Sequence, residues 1–394
     1  MIINDQSFAI IRSFFEDYPR LDHRITEVFK RRKTVPKEKA IIYSEVSSFV
    51  RLLPAYFYSM DRNIFTEMPD SKAIIDAIRD FNPFDYRKTI DEKLKSADVS
   101  DWYKTFGLPE FVVQDLLDHH SESEVLIFLK NSILPRPIFA RAFKSSVPDE
   151  LHFESIENIP FAYQYKGKEL DFSDDWYQEG WFELQDLSSQ MACLLANPKP
   201  NQIVMDACAG SGGKSLSMAH VMKGKGKIIS VSTNEFDKNE IKKRYSRLKL
   251  GNIVALDFND PKINAFASQC DIVWIDAPCS GSGVIRRNPD IIYRLQNTDF
   301  GLITKKQQEL LNTYQSYLKP GGRLIYSTCS VLSNENSEVI NKFLTENKNY
   351  TFADHAAAVS YFKLPVSSQN EFFWGFSNQP NMDGFYFTVL KKEN

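Results

Sequence analysis

The stretch Val204-Met205-Asp206-Ala207-Cys208-Ala209-Gly210-Ser211-Gly212-Gly213-Lys214-Ser215 decides the fold. A short apolar run ends on an acid, three glycines follow within four residues, and helical spacing resumes at once, which is the order of a strand, a tight turn and a helix. Counting excludes two nucleotide loops. A Walker loop read back from Gly213-Lys214-Ser215 requires glycine where Cys208 stands, and the dinucleotide pattern G-x-G-x-x-G requires one where Ser215 stands. What remains is a glycine-rich turn where a ligand can meet bare backbone at a helix N-terminus, with Asp206 at the strand end. A plain strand-to-helix turn accounts for one or two of these glycines; three with Lys214 exceed what packing needs.

Outward from this stretch, short apolar runs at 202–208, 227–233, 253–257, 271–277, 323–327 and 385–390 alternate with helical patterns at 187–196, 215–222, 237–250, 304–318 and 336–347. Such alternation predicts an α/β fold with a parallel, doubly wound sheet, and ligands of such sheets lie beyond the carboxyl ends of the strands. About 20 residues past the glycines an acid commonly meets ribose hydroxyls. Glu235 fits that place, and Asp237 fits the N-cap of the next helix. Asp257 ends the third strand, where it can cap, turn or receive an amino group. The fourth strand runs into Asp276-Ala277-Pro278-Cys279 and the fifth into Ser327-Thr328-Cys329, so two thiols stand at the ligand edge. Cys193 and Cys270, inside apolar patterns, read as small buried hydrophobes.

Upstream, apolar residues recur at helical spacing from Phe8 to Phe128, punctuated by Pro19, Pro36, Pro54, Pro69, Pro83 and Pro109. This predicts short helices in a domain spanning 1–145, followed by a small mixed segment at 146–180 and the α/β domain at 181–394. The 48 lysines and arginines against 51 acids leave a net charge of −3, so no global field draws the chain to nucleic acid or lipid. Local patches must do so: Lys30-Arg31-Arg32-Lys33 with Lys37 and Lys39; Lys242, Lys243, Arg244, Arg247 and Lys249; Arg286, Arg287, Arg294, Lys305 and Lys306. Each reads by default as a solvated face. No apolar run approaches the roughly 18 residues of a membrane span, and Asp5 stands where a signal peptide carries positive charge, so a cytoplasmic chain without membrane partners is expected. Five cysteines with no C-x-x-C pair indicate neither a disulfide framework nor a metal site.

Four motifs carry a resemblance: Asp206-Ala-Cys-Ala-x-x-Gly-Gly-Lys214, Asp276-Ala-Pro-Cys279-Ser, Gly283-Val-Ile-Arg286-Arg287-Asn-Pro289-Asp290, and Ser327-Thr-Cys329-Ser-Val-Leu-x-x-Glu335-Asn336. Together they closely resemble the RsmB-type, or Sun-family, RNA cytosine-5 methyltransferases. The likeness covers about Trp181 to Leu390, including Gln185-Asp186-Leu-Ser-Ser-Gln190 and Asp383-Gly384-Phe385-Tyr386. Upstream it thins to Asp101-Trp102 and Leu134-Pro135-Arg136-Pro137, and residues 1–95 only loosely resemble a NusB-like RNA-binding domain. Two departures stand out: Gly210-Ser211 replaces the family's usual Ala-Pro, and Glu235 its usual Asp.

The resemblance implies a Rossmann-like, S-adenosylmethionine-dependent methyltransferase domain behind an N-terminal helical domain, acting as a monomer on cytosine C5 of RNA. Ribosomal RNA is favoured, with tRNA the alternative. It implies Cys329 as the nucleophile that adds to C6, Cys279 as the group assisting release, Asp276 on the N3/N4 edge of the base, and Lys214 orienting Asp276. It assigns the donor to Asp206, Cys208, Ala209, Gly210, Ser211, Gly212, Gly213, Lys214, Glu235, Asp257 and Asp276, and the RNA to Pro278, Arg286 and Arg287. A DNA-type enzyme would use the Pro278-Cys279 thiol instead, but Thr328-Cys329 and the lack of a large recognition insert argue against it. A non-catalytic RNA assembly factor ranks lower, because both thiols are present.

Overall fold

The structure, a computed structural model, describes residues 5–17, 20–32, 34, 36–67, 69–80, 82–144, 147–167, 175–354, 371–376 and 382–394. The chain forms two compact units of three stretches each. Met1–Arg136, Ser280–Asp299 and Gly375–Asn381 make the first, and Pro137–Cys279, Phe300–Trp374 and Met382–Asn394 make the second. The expected boundaries at 145 and 180 therefore shift: strand pairing begins already at Phe139, and 280–299 leaves the α/β unit altogether.

In the first unit the helices are α1 (Asp5–Asp17), α2 (Leu21–Arg32), α3 (Pro36–Tyr58), α4 (Ser71–Asp80), α5 (Pro83–Lys93), α6 (Trp102–Phe106), α7 (Glu110–His119) and α8 (Glu122–Ser132). Pro36 and Pro83 open helices, where a missing N–H costs nothing. Pro54, expected to break one, lies inside α3, whose neighbouring Leu52, Leu53 and Ala55 are buried; packing outweighs the lost hydrogen bond. A capping box of Ser121 and Glu124 starts α8. The core is the helical stripe Ile10 and Phe14 of α1 against Ile42, Val46, Phe49 and Val50 of α3. Both later stretches insert here. The Tyr293 ring meets Phe14 edge-on at 5.5 Å and its hydroxyl donates to Val50 O at 2.7 Å, while Phe376 stacks on His120 at 4.2 Å.

The second unit opens with a small antiparallel sheet ordered β2-β3-β1-β4, from β1 (Phe139–Ala142), β2 (Phe153–Ser155), β3 (Ala162–Tyr165) and β4 (Phe182–Leu184), with α9 (Asp175–Gln178) before β4. Then follow α10 (Leu187–Ala196), β5 (Ile203–Asp206), α11 (Gly213–Val221), β6 (Lys227–Ser232), α12 (Glu235–Arg247), β7 (Ile253–Asp257) and β8 (Cys270–Asp276). After α13 (Ile291–Arg294), which belongs to the first unit, come α14 (Phe300–Tyr314), β9 (Leu318–Thr328), α15 (Ser337–Glu346), β10 (Tyr350–Phe352), β11 (Glu371–Trp374) and β12 (Phe385–Lys392). The large sheet is ordered β10-β12-β9-β8-β5-β6-β7, with β11 on β12.

From β7 to β9 the strands are parallel, as expected, but β12 runs antiparallel to β9, β10 and β11, so the sheet is mixed. An antiparallel return needs no crossover helix, and among the described residues no helix lies between β10 and β12. Alternate residues of the central strands bury on opposite faces. Val204, Ile228, Ile272 and Trp274 pack with α10 and α11, whereas Met205, Ile229, Val273 and Ile275 pack with Leu311 of α14 and Ile340 of α15.

Candidate active site

β5 has β6 on one side, reached through α11, and β8 on the other, so the strand order reverses between β5 and β8. The crevice beyond their carboxyl ends is where such sheets hold ligands. The glycine turn closes one wall. Gly210 and Gly212 have φ of 49° and 87°, backbone that disfavours any Cβ. At Gly212 a Cβ would lie 2.7 Å from Ile241 Cγ1, a packing demand; at Gly210 one would meet nothing within 4 Å, so that backbone borders open space. Ser232 Oγ donates to Gly210 O at 3.2 Å and Arg244 Nη1 to Ser211 O at 2.7 Å, which pins the turn from outside. No side chain caps α11, leaving its first amides to a ligand.

Asp206 is 1% exposed and accepts from Ser215 Oγ at 2.6 Å, which in turn accepts from Ser230 Oγ at 2.7 Å. Burial pushes its carboxyl up to about 6. Burial also pushes the Cys208 thiol up to about 12, which keeps it neutral and unreactive at pH 7. Cys193 and Cys270 are fully buried, as expected of small hydrophobes.

Asp276 is gripped at both oxygens. Lys214 Nζ donates to Oδ2 at 2.6 Å, and Ser327 Oγ donates to Oδ1 at 2.6 Å while accepting from Trp274 Nε1 at 2.9 Å. Burial pulls the Lys214 ammonium down, but the Asp276 charge and hydrogen bond outweigh it, so its pKa stands above the ordinary value. The two side chains stand at ion-pair distance. One residue past Ala277 and Pro278, Cys279 Sγ lies 3.3 Å from Cys329 Sγ, both thiols half-buried. Parallel pairing of β8 with β9, which puts Asp276 opposite Ser327, brings together thiols 50 residues apart.

Glu235 is the first residue of α12, exposed, and paired with Lys238 at 2.6 Å; that hydrogen bond holds its carboxyl below the usual range. Asn234 caps the helix, accepting from Asp237 N at 2.8 Å, so Asp237 is not the N-cap the sequence predicts. Asp257 ends β7 and accepts from Asn259 N at 3.0 Å. Pro278 is exposed.

Two basic patches are corrected. Arg286, expected on RNA, is 5% exposed, and its guanidinium donates twice to Pro135 O, at 3.1 and 2.6 Å, within the helical unit. Arg287 is half-buried, its carbonyl accepting from Tyr43 OH. In the middle patch Arg244 and Arg247 pair with buried Glu183 of β4, leaving Lys242, Lys243 and Lys249 exposed. In the first patch Lys30 and Arg31 are exposed, and Lys33 lies outside the described residues. Sequence reasoning missed Ser327 as a ligand of Asp276, Glu183, and buried Gln307 and Glu335. Ser327 and Glu335 stood inside a quoted motif, but their partners follow only from strand register and helix packing.

Comparison with known proteins adds a family. The model of the 16S rRNA methyltransferase RsmB/F family matches residues 192–391. The chain is 28% identical over 278 residues to ribosomal RNA small subunit methyltransferase B of Vibrio vulnificus, covering 70% of this chain and 58% of that one. To the probable ribosomal RNA small subunit methyltransferase B of Coxiella burnetii it is 31% identical over 281 residues, covering 68% and 64%. The matches thus span about half to two thirds of these relatives' length. Among solved structures, PH0851 superposes with a TM-score of 0.76 over 100% of both chains at 20% identity, a likeness of fold.

Proposed function

Because this chain belongs to the 16S rRNA methyltransferase RsmB/F family, we propose that it methylates C5 of a cytosine in RNA with S-adenosylmethionine as donor. Ribosomal RNA is the favoured substrate and tRNA the alternative. The observation that carries the reading is the pair of thiols 3.3 Å apart beside the Lys214–Asp276 pair at the sheet's switch point.

The residues present fit the donor. Open space beside Gly210, an uncapped helix N-terminus, the ionised Glu235 carboxylate for a ribose diol and Asp257 at the next strand end form a polar edge of the kind a nucleoside needs. When bound, S-adenosylmethionine supplies an electrophilic methyl carbon. Cytosine C5 is too weak a nucleophile to take it unaided. The Cys329 thiolate adds to C6, forming an S–C6 bond and moving electron density to C5. Asp276, held by Lys214 and Ser327, faces the N3/N4 edge of the base and meets charge as it develops. Cys279, as thiolate, then takes the C5 proton; the C–H electrons form the C5–C6 double bond, and the C6–S bond breaks to return the Cys329 thiolate. A stacked base must first be turned out at a cost of a few kcal/mol, which favours unpaired cytosines.

The mechanism gives the thiols opposite fates. Cys329→Ala abolishes both turnover and any covalent RNA adduct, whereas Cys279→Ala leaves addition intact and blocks release, so an adduct stable to denaturing electrophoresis accumulates. The reverse pattern would make Cys279 the nucleophile. Normal methylation by both variants would remove the thiols from the chemistry. Bisulfite sequencing of RNA from a deletion strain identifies the substrate.

A further inference from the structure

We propose that Gln307 is a positioning residue that sets the spacing of the two thiols, an inference that rests on their proposed roles. Gln307, on α14, is fully buried, and its Nε2 donates to Pro278 O at 3.0 Å and to Glu335 Oε1 at 3.3 Å. Pro278 immediately precedes Cys279. The other oxygen of Glu335, also fully buried, accepts from Ser330 Oγ at 2.7 Å, and Ser330 immediately follows Cys329. One side-chain amide therefore bridges the loop of one thiol to the loop of the other, through a single carboxylate.

The bridge has one orientation. Both neighbours of Nε2 are acceptors, so only an NH2 group can stand between them, and a flipped amide would set three oxygens together. Among the described residues buried Gln307 Oε1 has no hydrogen-bond partner, so the side chain is held through Nε2. The Cys329 side is otherwise rigid: Thr328 Oγ1 donates to Asn336 Oδ1 at 2.6 Å, Asn336 Nδ2 to Ser330 O at 3.0 Å, and Tyr326 OH to Glu335 O at 2.7 Å. The Cys279 side follows β8 directly, and Pro278, having no N–H, offers hydrogen bonding only through its carbonyl, which accepts from Gln307 Nε2. Removing the Gln307 donors cuts this link between the Cys279 loop and the Cys329 side, and a displacement near 1 Å at reacting groups costs up to about a hundredfold in rate.

Gln307→Met keeps the volume and removes the donors. Two readouts separate positioning from simple structure. The first is capture of the free protein by phenylarsine oxide, which needs two thiols at bonding reach and neither RNA nor donor. The second is kcat against KM on RNA. We expect arsenical affinity to fall about tenfold or more and kcat to fall roughly tenfold to a hundredfold, with KM, donor affinity by calorimetry and single alkylation by iodoacetamide within about twofold of wild type. Should Gln307→Met fail to fold, Ser330→Ala opens the same bridge at its other end and reads the same quantities. Arsenical capture equal to wild type in a folded variant overturns the proposal. A wild-type protein that captures the arsenical yet methylates no cytosine would instead remove the proposed function, and the arsenical arm would still judge the bridge.

Discussion

Asp206 is a carboxylate whose burial works against folding. Its carboxyl titrates near 6 in the folded protein, against an ordinary 3.8. A raised carboxyl pKa favours the folded state fully below the unfolded value, and that favour is lost as pH rises through the folded one. Between about pH 4 and 6, then, this residue costs stability with rising pH, on the order of 3 kcal/mol in all. Asp206→Asn should melt higher than wild type at pH 8, and the difference should shrink toward pH 4.5. Equal differences at both pH values would place the source elsewhere. An acid kept at such a cost beside the glycine turn is a mark of function rather than of packing. At this scale the sequence set Asp276, Cys279 and Cys329 at strand ends and Lys214 at the start of the helix after the glycine turn, and the structure pairs Lys214 with Asp276 and Cys279 with Cys329. It misled where a partner is backbone. Nothing in the pattern around Arg286 points to a carbonyl 151 residues upstream.

At the scale of elements, α12 shows why a run of charges need not be a solvated face. Arg244 and Arg247, each 12% exposed at the side chain, converge on Glu183 of β4, itself 6% exposed, and Arg247 also lies 4.0 Å over the Tyr177 ring. This ion triad ties the small sheet to the large one, and through Arg244 to Ser211 it ties both to the glycine turn. Glu183→Gln strands two buried cations, and unfolding by urea should show a loss of about 3 to 5 kcal/mol. Lys242→Gln and Lys243→Gln, exposed on the same helix, should stay within about 0.5 kcal/mol of wild type. Equal effects would return all four to one solvated stripe. The elements themselves were largely legible, since the expected strands and helices from 187 to 347 appear within a few residues, because short, almost wholly buried apolar runs alternate there with helical patterns. Strand direction was not legible: nothing in the composition of β12 distinguishes an antiparallel return from a parallel crossover.

For the whole molecule, the chain's threading changes what a fragment can be. Residues 175–394, which the sequence boundaries make look self-sufficient, lack three of the four strands of the small sheet and carry 280–299 without the helices that bury Ile291, Ile292 and Tyr293. We expect this fragment to aggregate on expression. Soluble, monomeric, donor-binding material by size exclusion and calorimetry would show that the excursions tolerate exposure. The texture of the sequence changes after Trp181, whereas the second unit already begins at Pro137, and interleaving was not legible, because a short helical stretch such as Ile291–Arg294 carries no signal of which core it joins.

The same threading imposes an order of assembly during synthesis. The helices up to Arg136 leave the ribosome well before the stretch ending at residue 381, which follows 245 residues later. At about 5 to 20 residues per second this gap lasts roughly 10 to 50 seconds. The seat of Tyr293 stands open for the first part of this gap and that of Phe376 for nearly all of it, so an early-made core waits on later residues, and the nascent chain exposes apolar surface of the kind that chaperones at the tunnel exit shield.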